Sequence, residues 1–299
     1  MSFSAALIVT SVAIQAPADT LRAAVERHIA ASGAAAAVYF RSLRGADSLA
    51  INADTRYHAA STMKVAVMIQ VFRDADAGLL GLRDEVEVTN RFRSIADSST
   101  FSLEAADDSD SSLYRRIGQR ARIGELVELM IRVSSNLATN ILIERVGAQR
   151  VQATLRSLGA DSVAVLRGVE DGAAFRAGMN NSVTARGLGV LLRAIADGEA
   201  ASARSCGAML DILLGQRFRD GIPSGLPRRT RVAHKTGTIT ALHHDAGVVY
   251  VGGRPAYVLV ILTRGLARQE QSAALMGDLA RLFHIHVTRA DYVRSARPS

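Results

Sequence analysis

Lysine is nearly absent from this chain. Of the 36 Lys and Arg residues among 299, only Lys64 and Lys235 are lysine. A generic surface cation is therefore written as arginine, and the two lysines mark places where arginine does not serve. Arginine is a permanently charged planar fork, whereas lysine is a compact point charge that can shed its proton when buried. Cysteine is scarcer still. Cys206 stands alone, which excludes an intramolecular disulfide and a cysteine-based metal site; its helical surroundings make it a small core residue. There is no tryptophan, and aromatics make up 5% of the chain, which argues against a base-stacking surface or an aromatic sugar platform. No apolar run is long enough to span a bilayer.

What is present is a hydrophobic content of 48%, ample for a sizeable core. The length suits one large domain or two smaller ones. The net charge of +8 is spread out: the longest basic run, Arg228, Arg229 and Arg231, is short, and acidic residues are interleaved along the chain. No nucleic-acid-binding face is expected from such scatter. Near the N-terminus, Ala5 to Ile14 form a short apolar run followed by Ala16-Pro17-Ala18, the pattern of a secretory signal with a small-residue cleavage site, although Met1-Ser2-Phe3-Ser4 carries no basic side chain. Residues 1–18 are expected to be a signal peptide, and the protein to be periplasmic or secreted.

Periodicity predicts a helix over 20–31, strands over 35–42 and 47–51 joined through Gly45, and a strongly apolar helix from Thr62 to about Gly78 with Ser61 at its start. Residues 82–122 are polar and irregular, and Asp107, Asp108 and Asp110 read as solvated loop. Helices follow over 123–133, 136–146, 148–157, 184–197 and 203–216, with a long connection over 163–183. Strands then return over 231–238, 245–252 and 256–263, with Gly252-Gly253 making the second turn, and a helix over 267–283 closes the pattern. Strands at both ends and helices between them predict an α+β fold. One antiparallel sheet, from residues 19–60 and 222–299, is flanked by the N- and C-terminal helices; residues 61–221 form an inserted all-α domain, and the cleft lies between the two.

Both lysines sit in patterns that carry chemistry. In Ser61-Thr62-Met63-Lys64 the residues three apart share a helix face, so the lysine amine lies one turn below the serine hydroxyl. A buried lysine loses charge readily. It can then take the serine proton and create a nucleophile, while the helix dipole favours the negative charge that develops. In Lys235-Thr236-Gly237 a cation and a hydroxyl stand on a strand where glycine permits close approach. Chance produces the two patterns together, in this order, roughly one time in a thousand. Between them Ser134-Ser135-Asn136 stands at a joint between helices, where a plain N-cap is the simplest reading.

The set Ser-x-x-Lys, Ser-x-Asn and Lys-Thr-Gly resembles the penicillin-recognising serine hydrolases, and within them it is most similar to the class A β-lactamases. The similarity extends over essentially the whole chain after the signal-like segment, and the run NLATNILIERVG after the second motif is typical of them. The resemblance implies that Ser61 is the acylated nucleophile and Lys64 the general base or part of its proton relay. Ser134 would pass a proton to the leaving nitrogen, and Asn136 would hydrogen-bond the substrate's side-chain amide. Lys235, Thr236 and Gly237 would bind the substrate, its carboxylate going to Lys235 and Thr236. The backbone N–H groups of Ser61 and Thr238 would form the oxyanion hole. It also implies a glutamate base for deacylation on an Ω-like loop. Arg167-Gly168-Val169-Glu170 fits that place, although on the residues alone Glu170 reads rather as a solvated acid paired with Arg167. No cofactor and no metal are implied, and the partner would be a small β-lactam or related acyl substrate bound by a monomer.

The pattern departs from the family at three places. The asparagine that helps hold the hydrolytic water is expected at Ala174, for which Asn180 or Asn181 could compensate. A supporting arginine on the strand after Lys-Thr-Gly is expected at Ala246. The middle of the serine triplet is Ser135 rather than aspartate. These departures keep two alternatives open: a related hydrolase such as a D-Ala-D-Ala carboxypeptidase or esterase, and a penicillin-binding sensor that acylates without turnover. His243 and His244 invite a metal reading, but neighbours on a strand point to opposite faces and cannot chelate together.

Overall fold

The computed structural model of the chain describes residues 17–295. The apolar run of residues 5–14 lies outside them. The first helix, α1 (Pro17–Ser32), starts three residues earlier than the periodicity suggested. Strands β1 (Ala35–Ser42), β2 (Ser48–Ile51) and β3 (Tyr57–His58) follow, then a 3-10 turn (Ala60–Met63) that runs straight into α2 (Lys64–Asp76). The polar stretch after it contains short pairings, β4 (Glu85–Glu87) with β7 (Arg120–Arg122) and β5 (Phe92–Arg93) with β6 (Thr100–Phe101). Helices α3 (Ile123–Arg132), α4 (Asn136–Val146) and α5 (Ala148–Ser157) lead to the long loop. That loop carries a short helix, α6 (Gly172–Arg176), and strand β8 (Ser182–Val183). Then come α7 (Ala185–Ala196), α8 (Ala203–Leu214), β9 (Val232–Ile239), β10 (Leu242–Val251), β11 (Arg254–Arg264) and α9 (Gln269–Ser295). No helix among the described residues is long and apolar enough to cross a membrane.

The expected antiparallel sheet is present, in the order β2-β1-β11-β10-β9. Chain ends meet in its middle, where Ala35 pairs with Arg264 and Ser42 with Tyr257. Both faces are covered, so β11 reads as a continuous apolar run rather than an alternation. Tyr257, Leu259 and Ile261 face the layer of α1 and α9, where Phe40 stacks on Phe283 with ring centroids 5.0 Å apart. Val258, Val260 and Leu262 face the helices of the middle segment. Within that layer α2 is central. Every residue from Lys64 to Phe72 is buried, and a helix buried all round is apolar all round. Lys64 and Gln70 are the exceptions: Gln70 is satisfied by Asp74 and Thr154, and Lys64, the one cation among them, needs a chemical reason.

Two differences from the expected elements matter for the site. Strand β10 begins at Leu242, three residues before the position the sequence pattern suggested. The hairpin from β9 is tight: Ile239 pairs with Leu242, leaving Thr240 and Ala241 as the turn. Ala241 adopts φ 53° there without being glycine, so the usual turn signal is missing. In the second turn Gly252 and Gly253 do take positive φ, at 58° and 79°. The last helix runs on to Ser295 and packs against α1.

Candidate active site

Ser61 lies in the 3-10 turn and Lys64 opens α2. Residues three apart in such a turn lie on one side of it, which puts Ser61 and Lys64 on the same side of the helix start. Lys64 Nζ donates to the Ser134 carbonyl oxygen at 2.6 Å, to Asn136 Oδ1 at 2.8 Å and to Ser134 Oγ at 3.2 Å. Complete burial pulls its pKa down to about 7, against the opposing pull of the Asp108 and Glu170 carboxylates. When the amine is neutral, two N–H bonds still satisfy the two obligate acceptors, and its lone pair is left for a hydroxyl proton. Among the described residues the Ser61 hydroxyl has no hydrogen-bond partner, and it opens on the cleft.

Ser134 stands between the two lysines. Its Oγ accepts from Lys235 Nζ at 3.0 Å, and Lys235 also donates to the Thr236 carbonyl at 2.8 Å. Lys235 is fully buried behind β9, and its pKa is held well below the ordinary lysine value by that burial and by the neighbouring charge of Lys64. Ser134 itself has φ 60°, a strained backbone for a serine, which aims its hydroxyl out of the helix joint. The N-cap reading of the triplet applies to Ser135, whose hydroxyl accepts from the Ala138 N–H at 3.3 Å.

Asp108 corrects the sequence reading of a solvated loop. Its carboxylate accepts from the Asn136 N–H at 2.9 Å, the Leu137 N–H at 3.0 Å and the Tyr114 hydroxyl at 3.0 Å. With Ser135 it satisfies the first three orphan N–H groups of α4, and its charge complements the helix dipole. The acid arrives from a segment 28 residues away, so no local pattern announced it.

Asn136 bridges the two candidate bases. Its Oδ1 faces the Lys64 amine and its Nδ2 donates to Glu170 Oε1 at 2.9 Å; an amine that donates and a carboxylate that only accepts fix this orientation of the amide. Glu170 therefore is not paired with Arg167. Partial burial raises its pKa, with the Asp108 and Asp107 carboxylates adding to this and the Asn136 hydrogen bond opposing it, while part of the side chain lines the cleft. Its backbone is strained, at φ 63°.

The loop that carries Glu170 is braced from several sides. Arg167 turns inward and donates to the carbonyls of Met179 and Gly168 and, at 3.3 Å, to Asn180 Oδ1. Asn181 Oδ1 accepts from the Leu166 and Arg167 N–H groups, and its Nδ2 donates to the Arg167 carbonyl. Asn140 clamps Val169 through both ends of its amide, at 2.7 and 2.9 Å. Asp171 caps α6 and accepts from Ser94 Oγ at 2.7 Å and the Ile95 N–H at 3.0 Å. Asn180 and Asn181 are thus occupied in holding the loop, and Ala174 is fully buried.

On the other wall Gly237 brings β9 against the turn that carries Ser61. A Cβ there would lie 3.0 Å from the Ser61 nitrogen and 3.1 Å from that of Thr62, so glycine is what lets the strand close to this distance. Ser61 and Thr238 line both lobes of the cleft. The lobe with Glu170 and Asn136 measures about 540 Å³, and the lobe with Ser134, Thr236, Arg219 and His243 about 430 Å³. Ala246 pairs with Lys235 and is buried toward the helices. Because β10 starts earlier than expected, His243 rather than residue 246 reaches the cleft. Arg228, Arg229 and Arg231 do not line either lobe; Arg219 does, and no motif marked it.

A free serine hydroxyl three residues before a buried, deprotonatable lysine, in a cleft between a sheet edge and a helical layer, points to a serine hydrolase. Residues 19–287 match the model of the Beta-lactamase enzyme family, and the chain belongs to that family. Among solved structures it is similar to a β-lactamase from Sphaerobacter thermophilus, with 27% identity, a TM-score of 0.76, and coverage of 91% of this chain and 98% of that one. It also resembles the structure of PBP-A, at 23% identity and TM-score 0.78 over 90% and 96% of the two chains. A β-lactamase from Chitinophaga pinensis is similar at 22% identity and TM-score 0.76 over 88% and 98%. No match was found among curated proteins.

Proposed function

We propose that the chain is a serine β-lactamase that works through an acyl-enzyme on Ser61, hydrolysed by a water that Glu170 activates. The observation that carries this is the Lys64 amine, three residues after Ser61, fully buried against Ser134 and Asn136 with a pKa of about 7, which makes it a base at neutral pH. In the first half-reaction neutral Lys64 takes the Ser61 proton and Oγ attacks the lactam carbonyl. The N–H groups of Ser61 and Thr238 receive the oxyanion. The proton passes from Lys64 to Ser134, 3.2 Å away, and from Ser134 to the leaving nitrogen as the C–N bond breaks. In the second half-reaction Glu170 takes a proton from water, which attacks the ester; as the ester C–O bond breaks, that proton returns to Ser61 Oγ, and the free hydroxyl and the Glu170 carboxylate are restored. Burial strengthens Glu170 as a base by raising its pKa.

One observation favours a second reading. Ala174 offers no polar group to the hydrolytic water and Glu170 Oε1 is held by Asn136, so a slowly deacylating penicillin-binding enzyme or D-Ala-D-Ala peptidase is the alternative. A chromogenic cephalosporin followed by absorbance and intact mass decides between them. Many turnovers support the β-lactamase; a stoichiometric persistent adduct on Ser61 supports the alternative; neither turnover nor adduct overturns both. Glu170→Gln should accumulate the adduct, and unchanged release would remove Glu170 from the mechanism. Export to the periplasm or medium, with the signal removed, belongs to the same proposal, and N-terminal sequencing of exported protein tests it.

A further inference from the structure

A strained residue stands directly ahead of Ser61, and one side chain grips it. Ala60 takes φ 44°, a left-handed backbone that an alanine keeps only where its surroundings enforce it. Its N–H donates to His58 Nδ1 at 3.1 Å. An N–H donates only to an unprotonated nitrogen, so the His58 ring is neutral and carries its proton on Nε2. Burial, with the Arg167 guanidinium adding to it, pushes the His58 pKa below the ordinary histidine value, which keeps the ring in that state at neutral pH.

His58 is itself anchored to the sheet. Its carbonyl accepts from His244 Nε2 at 3.1 Å, and the Thr263 N–H donates to His244 Nδ1 at 3.3 Å. Those two bonds fix His244 as the same neutral tautomer. Its ring packs edge-on against Tyr57, and burial pulls its pKa down to about 4. Two neutral imidazoles in series therefore connect β10 and β11 to the backbone before Ser61. Through its own backbone His58 pairs with Ser182 of β8, and the Ala59 N–H next to it donates to the Asn181 carbonyl at 3.0 Å. Asn181 is the residue that holds the loop of Glu170. His58 also lines the lobe of about 540 Å³ that contains Ser61 and Glu170.

We propose that His58 is a positioning residue for the oxyanion hole. By accepting the Ala60 N–H it holds Ala60 in its left-handed turn, and so aims the Ser61 N–H at the substrate carbonyl. The Ser61 N–H belongs to the planar peptide that joins Ala60 to Ser61, and the backbone torsions of Ala60 set the direction of that plane. A donor contributes to catalysis only when it is aimed before the reaction begins. Strand β9 abuts the same peptide at Gly237, so the sheet bears on this turn both directly and through the two histidines. The assignment rests on the acyl-enzyme reading above and names what fixes one of its two oxyanion donors.

The test is single-turnover acylation by a chromogenic cephalosporin, quenched and read by intact mass, in the parent and three variants. His58→Asn keeps an acceptor oxygen on Cγ, where Nδ1 stands; His58→Gln moves it one bond further out, and His58→Ala has none. His58→Ala and His58→Gln should acylate about 10–100-fold more slowly at saturating substrate, as expected for a misaimed oxyanion donor. His58→Asn should stay within about threefold of the parent. The infrared band of the Ser61 ester carbonyl, recorded after rapid mixing, reads the oxyanion hydrogen bond itself. It should lie at higher wavenumber in His58→Ala than in the parent and return to the parent position in His58→Asn. Equal acylation rates in all four proteins, an unmoved band in His58→Ala, or a loss in His58→Asn as large as in His58→Ala overturns the proposal. Should His58→Ala not fold, nitrogen NMR of the parent ring reads the contact directly: Nδ1 should be bare at neutral pH and coupled across the hydrogen bond to the Ala60 amide, and a ring protonated on Nδ1 overturns the assignment. Intact mass of the parent separates the two claims: no adduct refutes acylation and this assignment with it, whereas an adduct with an unchanged rate and band in His58→Ala refutes only the role of His58.

Discussion

Lys64 must lose its proton before it can take one from Ser61, and its burial sets the pH at which this happens. With a pKa of about 7, roughly a tenth of the molecules carry the neutral amine at pH 6 and roughly nine-tenths at pH 8. Acylation should therefore quicken about tenfold across that interval and level off above it. Single-turnover acylation, quenched and read by intact mass from pH 5.5 to 9, measures this without interference from deacylation. Stability moves with the same titration. The folded pKa lies below the ordinary 10.5, so between about pH 7 and 10.5 the unfolded chain binds more protons and stability rises with pH. Below pH 7 the full penalty for the buried charge is present, on the order of 5 kcal/mol. Lys64→Met should abolish acylation and raise the denaturation midpoint more at pH 6 than at pH 9. An acylation rate flat from pH 5.5 to 8.5, or near-normal acylation by Lys64→Arg, would refute the base role.

Two further substitutions test the supports of the site. Asp108→Asn removes a charge that raises the Lys64 pKa, so the acid limb of the acylation profile should move to lower pH; an unmoved limb refutes the electrostatic link. Asp108→Ala should in addition cost about 1–2 kcal/mol in denaturant titration through the lost helix cap. Gly237→Ala puts a methyl 3.0 Å from the Ser61 nitrogen, where only backbone could give way. It should lower kcat about 10²-fold by spreading the oxyanion hole, and a full-rate variant would show that β9 closes on the nucleophile less tightly than described.

The parts of this molecule legible in its sequence are those whose cause is local. The helices of the middle segment and the sheet strands follow from spacing, and Ser61, Lys64, Ser134 and Asn136 converge because each motif sits at a helix start. What escaped the sequence depends on distant partners. Asp108 looked like one acid among several in a polar loop, yet it caps a helix 28 residues on. Arg167 and Glu170, three apart on a loop, invited a pairing that the folded loop does not make, because Arg167 turns inward to the carbonyls of Met179 and Gly168. The register of β10 was missed because its hairpin turn contains no glycine, and that displaced the expected cleft residue from His243 to Ala246. Asn181 offered itself as a water ligand, but both ends of its amide hold the loop backbone.

The pairing of Ala35 with Arg264 has a consequence during biosynthesis. The partners are roughly 230 residues apart, so at about 5–20 residues per second the first strand waits some 10–50 s on the ribosome for its neighbour. Over that interval β1 and β2 form a hairpin with one unpaired edge, and a two-stranded ribbon has marginal stability alone. The turn that carries Ser61 meets β9 only after both have emerged, so a nascent chain lacks the close approach of Gly237 to Ser61. Long-range closure of this kind is slow. It makes closure of this sheet the step at which a bound chaperone acts on the chain with the least resistance.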